Sequence, residues 1–185
     1  MKKIIALLLV IAVIAGALFI GPYNSLVDLR EDVNQSFAQV ETVIQRRADL
    51  IPNLVNTVKG YADHEQETLT QVTEARSKIQ SAASPEELAE ANDELSGALS
   101  RLMVVVEQYP DLKANQNFIQ LQDELAGTEN RIAVERKNYN ETVQKYNRKV
   151  KRFPTNIVAG IFNFDEAQYF EASPGSEEAP EVNFD

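Results

Sequence analysis

Apolar residues recur at steps of three and four over most of the chain, and each such run predicts a helix with one buried stripe. Leu26, Val33, Phe37, Val40 and Ile44 share one face, with Asp28, Glu31, Asp32, Gln35 and Glu41 largely elsewhere. Leu54, Val58, Ala62, Leu69, Val72 and Ile79 form a second stripe, and Leu88, Leu95, Leu99, Leu102 and Val106 a third. The fourth extends from near Asn115 to about Phe153 through Phe118, Leu121, Leu125, Thr128, Ile132, Tyr139, Val143, Tyr146 and Val150, close to a heptad repeat. Stripes joined by short links can be hidden only against one another. The predicted fold is all-α: an N-terminal transmembrane helix followed by an antiparallel up-and-down four-helix bundle.

Two junctions are marked clearly. Ser84-Pro85-Glu86-Glu87 has a capping residue, a proline suited to the first helical position, and a glutamate placed to complete a capping box. Pro154 ends the fourth helix. The segment Arg46–Leu54 is harder to read. A helix running from Tyr23 to about Gln80 would span about 58 residues, near 87 Å, and no other segment is long enough to cover it. A reversal is therefore expected, with Asp49 capping a second helix and Pro52 in its first turn. A three-helix bundle with a kink at Pro52 is the alternative.

The chain opens with Lys2 and Lys3, then Ile4–Ile20 without a charged or strongly polar group. Ile4–Tyr23 meets the roughly 20 residues a bilayer needs, and Tyr23 suits the interface. The lysines favour a cytoplasmic amino terminus, which sends everything after Tyr23 across the membrane. Ala15-Gly16-Ala17 supports a rival reading as a cleaved signal peptide, although Leu18-Phe19-Ile20 continues the apolar run past that point. Pro22 is expected to bend or restart the helix. The organisation read from this pattern is an anchor over 1–22, a bundle over 23–154, an apolar segment over 155–172 packed on the bundle or the membrane surface, and a disordered acidic tail over 173–185.

Composition narrows the chemistry. The 185 residues include no Cys, no Trp and one His, which removes disulfides, thiolate catalysis and every site needing two imidazoles. The formal net charge of -10 argues against nucleic-acid binding. The bias sits late, since no basic residue follows Arg152. No nucleophile with its base, paired-carboxylate cleft or phosphate-binding glycine loop is present. No cofactor and no metal are implied.

Several motifs together resemble the LemA family. They are Gln45-Arg46-Arg47-Ala48-Asp49-Leu50-Ile51-Pro52-Asn53-Leu54-Val55 and Val58-Lys59-Gly60-Tyr61-Ala62-Asp63-His64-Glu65, with Tyr23-Asn24-Ser25-Leu26-Val27, Ala75-Arg76, Tyr139-Asn140, Phe153–Gly160 and Tyr169–Ala172. The resemblance extends from the anchor to Ala172. It implies a bacterial membrane-anchored protein with a four-helix soluble domain, often found in the setting of envelope maintenance. It implies no established enzymatic activity, cofactor or catalytic set.

The candidate interaction or structural motif is Arg46, Arg47, Asp49, Pro52, Asn53, Tyr61, His64 and Glu65. Its first half reads chiefly as a helix junction, with Arg47 at a helix end and Asp49 as a cap, and secondarily as a docking site. Asp63, His64, Glu65 and Glu67 form the one metal-like cluster, but consecutive residues diverge around a helix and zinc needs about four ligands. Asn24, Asn53, Asn56, Asn138, Asn140 and Asn147 are unusual in helices, and a buried amide that fixes register is one use for them. Tyr61, Tyr109, Tyr139 and Tyr146 are read as core or rim residues whose hydroxyls reach water. Lys145, Arg148, Lys149 and Arg152 are possible lipid contacts at the membrane-proximal end of helix four. The leading function is a membrane-anchored adaptor or structural protein of the bacterial inner membrane, with envelope protein partners. A ligand-binding or sensory bundle and an envelope hydrolase using His64 are the alternatives.

Overall fold

A single α-helix runs from Lys2 to Lys59, with Pro52 inside it. The expected reversal does not occur there, and the reason is local. Proline lacks the amide that would bond the carbonyl four residues back. That carbonyl belongs to Ala48, and Arg76 Nε donates to it at 2.9 Å. A guanidinium from the next helix thus replaces the missing donor. Asp49 is an ordinary helical residue, not a cap, and its carboxylate accepts from Gln45 at 2.8 Å. Pro22 also lies within the helix, which does not restart there.

The computed structural model of the chain describes residues 2–62 and 64–170. The described residues form six helices: α1 (Lys2–Lys59), α2 (Gln66–Ser81), α3 (Pro85–Val106), α4 (Pro110–Lys113), α5 (Gln116–Lys151) and α6 (Thr155–Phe162). The chain is all-helical, with no strand among the described residues. The stripe expected of one second helix is divided, Leu54 and Val58 closing α1 and Leu69, Val72 and Ile79 lying on α2. Among the described residues no helix is long and apolar enough to cross a membrane. Most side chains before Phe19 are not among those described, so the anchor over 1–22 is not shown. Asp63 and the acidic tail expected over 173–185 also lie outside the described residues.

Helix ends follow local chemistry. Ser84 Oγ accepts from Glu87 N at 3.2 Å, and the Glu87 carboxylate accepts from Ala83 N at 2.7 Å. Asn115 Oδ1 accepts from the amides of Asn117 and Phe118 at 2.9 and 3.1 Å, which caps α5. Asn163 ends α6 in the left-handed region at φ 55°, a conformation Asn tolerates better than most side chains. Residues 164–170 then continue as a strap without regular structure.

Two compact units divide the chain. The first comprises Met1–Phe37 and Asn138–Gln168. It buries Leu26 and Val33 of α1, Tyr139, Val143 and Tyr146 of α5, Val158 and Ala159 of α6, and Phe164 of the strap. Tyr23 meets Phe162 and Phe164 edge-on, with centroids 4.9 and 5.6 Å apart. The second comprises Ala38–Lys137 and Tyr169–Asp185. Its core draws on Ile44, Ile51 and Leu54 of α1, Val72 of α2, Leu95 and Leu102 of α3, Phe118 and Ile132 of α5, and Phe170.

The Pro52–Arg76 arrangement sets up a double-mutant cycle. A hydrogen bond to a charged donor is worth about 1.5–3 kcal/mol. Arg76→Met should lose about that much in the natural background. With Pro52→Ala it should lose clearly less, because the restored amide serves Ala48. Equal losses in both backgrounds, read from urea unfolding, would show the two residues to be independent.

Candidate functional site

Three polar residues occupy slots that the helical repeat reserves for apolar ones. On α1 the positions Val40, Ile44, Arg47, Ile51, Leu54 and Val58 alternate steps of four and three, and Arg47 falls among the aliphatics. On α3 the same steps join Leu88, Asn92, Leu95, Leu99, Leu102 and Val106. On α5 they join Phe118, Leu121, Leu125, Thr128 and Ile132. Arg47 is 5% exposed and Asn92 1%, so both are enclosed. Sequence reading placed Arg47 at a helix end and passed over Asn92. The signal was nonetheless present, since position 92 completes the repeat between Leu88 and Leu95.

Arg47 Nη1 donates to Asn92 Oδ1 at 3.0 Å and to Ser96 Oγ at 2.9 Å, and it pairs with Glu129 Oε2 at 2.6 Å. Ser96 Oγ donates back to Asn92 O at 3.0 Å. The Arg47 pKa is lowered by burial, with the charges of Glu129 and Asp93 acting the other way. Arg47 Nε and Asn92 Nδ2 are buried without an acceptor among the described residues. Each such donor costs about 1–3 kcal/mol. The layer therefore encloses one cation with neutral acceptors and a half-exposed carboxylate. Within it the Ser96 hydroxyl proton is given to a backbone carbonyl, so the observed bonds hold side chains in place.

The remaining motif residues are spread around this layer. Arg46, Pro52 and Asn53 are exposed. Asn115 Nδ2 donates to Tyr61 Oη at 2.9 Å, and Tyr109 Oη donates to Glu65 Oε1 at 3.0 Å. The bond to Glu65, then burial and the Glu65 charge, raise the Tyr109 pKa. Both bonds tie the turn after α1 to the links flanking α4. His64 is exposed, and among the described residues no group of three or more His, Cys, Asp or Glu is placed to hold a metal ion.

A second cluster, on α5, grips the strap. Tyr139 Oη donates to Gln168 O at 2.8 Å and Tyr146 Oη to Asp165 O at 2.9 Å. Asn147 donates to Ala167 O at 2.9 Å and accepts from Ala167 N at 2.8 Å. These hydroxyls were expected to reach water, and the amide to fix register between helices. They hold backbone instead. Burial raises the pKa of both phenols; at Tyr146, Arg30 opposes the shift and Asp165 adds to it.

Two shallow grooves accompany these clusters. One, of about 360 Å³, lies between Val55 and Lys59 on α1 and Gln66–Glu74 on α2. The other, of about 390 Å³, lies between Asn53, Asn56 and Thr57 on α1 and Asn117, Gln120 and Glu124 on α5. Both are open at the surface, unlike the enclosed apolar pocket that a ligand-binding bundle calls for.

Residues 36–184 match the LemA family. Protein LemA of Metamycoplasma hominis is 30% identical over 159 residues, covering 84% of this chain and 71% of the relative. Magnetosome protein MamQ 2 of Paramagnetospirillum magneticum is 28% identical over 200 residues, covering 92% and 74%. Magnetosome protein MamQ of Magnetospirillum gryphiswaldense is 26% identical over 203 residues, covering 94% and 75%.

Proposed function

The chain belongs to the LemA family, and from that premise we propose that it is a single-pass, membrane-anchored helical scaffold of the bacterial envelope that engages protein partners without catalysis. The observation carrying this reading is α1: one helix holds the apolar run Ile4–Ile20 and, less than two turns later, the buried stripe that starts at Leu26. In this reading α1, α2, α3 and α5 are the members of an up-and-down bundle outside the cytoplasm.

The Arg47 layer serves alignment rather than stability. Buried charges with imperfect partners stabilise little, and their best-attested use is to select one register of packed helices. Arg47 can reach Asn92, Ser96 and Glu129 together in one alignment of α1 against α3 and α5. Fixed alignment is what a scaffold needs to present the same outer faces in every copy.

Topology is tested with paired reporters after Val182. Alkaline phosphatase should be active there and a cytoplasm-only fluorescent reporter dark; the reverse would overturn the orientation. Cross-linking in native membranes followed by mass spectrometry should recover defined envelope proteins. Recovery of the chain alone would overturn the adaptor role.

A further inference from the structure

We propose that the exposed side of α6, with the basic end of α5 beside it, is a second membrane contact that lies in the headgroup layer of an anionic bilayer. The proposal rests on the anchored reading above and adds a surface to it. α6 reads Thr-Asn-Ile-Val-Ala-Gly-Ile-Phe, without a charge. Thr155, Val158 and Ala159 form its buried side. Ile157 and Ile161, four residues apart, form the other side and are 47% and 59% exposed, and Phe153, in the turn just before α6, is 74% exposed. Phe162 is half exposed as well. An apolar stripe this open on a short helix asks for a cover.

Two observations within the same compact unit point to lipid. Phe162 packs edge-on against Tyr23 at 4.9 Å, and Tyr23 follows the apolar run by three residues on α1, a rise of about 4.5 Å. The end of α6 is therefore level with the place where an anchored chain leaves the bilayer. Charge agrees. From Lys145 to Phe164 the sequence holds Lys145, Arg148, Lys149, Lys151 and Arg152 and no acid, in a chain of net charge -10. Of these, Lys151 pairs with Glu166 at 2.6 Å. Basic residues beside an apolar helical face are the combination that binds anionic interfaces. Not every apolar residue of the segment belongs to this surface. Phe164 and Phe170 are buried, which leaves Phe153, Ile157, Ile161 and Phe162 as the exposed apolar groups.

The chain has no Trp, so single introduced tryptophans report cleanly. Full-length protein carrying Ile161→Trp or Phe153→Trp is reconstituted into phosphatidylcholine–phosphatidylglycerol vesicles, with and without brominated acyl chains. Leu9→Trp reports the anchor, and Val104→Trp, exposed on α3, is the aqueous control. The α6 probes should be quenched by brominated lipid to about half and resist iodide about threefold better than Val104→Trp. Two probes guard against a variant that misfolds. Quenching of Leu9→Trp with the α6 probes fully open to iodide would overturn this proposal and spare the anchor. α6 probes shielded from iodide yet blind to brominated lipid would also overturn it, assigning the face to a second copy of the chain. Absence of lipid quenching at Leu9→Trp would overturn the anchored reading itself.

Discussion

Asn92→Leu should destabilise the protein by about 2–3 kcal/mol, and adding Arg47→Met should recover the loss or exceed it. The single change places an apolar residue in an apolar slot, which pattern alone would favour. It also removes the acceptor at 3.0 Å from a guanidinium that is 5% exposed. A buried charge deprived of one partner loses about 3–5 kcal/mol. Ser96 and the half-exposed Glu129 remain in contact, so the loss should lie at or just below the low end of that range. The double variant removes the charge, its acceptor and both unpartnered donors together. Such replacements are commonly neutral or stabilising by about 1–4 kcal/mol. In melting experiments the single variant should fall by roughly 4–12 °C, at about 2–4 °C per kcal/mol. A double variant whose loss equals the sum of its singles would show that the layer is not a unit.

Ending the chain after Pro154 should be the most damaging truncation, causing loss of several kcal/mol or aggregation. It removes Val158, Ala159, Phe164 and Phe170 from buried positions. Fully burying a large apolar side chain is worth about 1.5–3 kcal/mol. It also leaves Tyr139, Tyr146 and Asn147 without the strap carbonyls they bind. Because a truncated chain can fail in several ways, Phe170→Ala in the intact protein isolates one contribution. Phe170 is buried, with the Arg136 guanidinium 4.7 Å over its ring. Its loss should cost about 3–5 kcal/mol in urea unfolding. A change under about 1 kcal/mol would mean that the strap contributes little there.

What sequence could and could not reveal depends on the range of the causes involved. The α3 start was legible because Ser84, Pro85 and Glu87 act within four residues of one another. The apolar stripes were legible because they depend on period alone. Continuity through Pro52 was not, since the donor that sustains it sits on Arg76, 28 positions after Ala48. Local rules assign a proline there to a helix start, and a distant side chain overrides them. The polar layer was half legible. Its slots follow from the repeat, but arginine and asparagine in those slots read as surface until three helices are seen to meet. The segment after Pro154 is apolar throughout, yet it buries Val158, Ala159, Phe164 and Phe170 and leaves Ile157, Ile161 and Phe162 exposed. Which of its aromatics turn inward is settled by Asn163 and by the bonds to Asn147, and neither leaves a periodic trace.

The unbroken passage of α1 from Ile20 to Leu26 couples height to heading. On an α-helix each added residue lifts the rest of the helix by about 1.5 Å and turns it through about 100°. One residue inserted between Gly21 and Asn24 would swing Leu26 and Val33 more than a quarter-turn away from the bearing set by the apolar run. Seven would raise them by about 10.5 Å and return the bearing to within about 20°. Under the anchored reading proposed above, relatives with longer or shorter junctions at this point are therefore expected to differ by residue numbers close to whole helical turns, such as about 7, 11 or 18, because distance from the bilayer and compass direction of the first stripe change together.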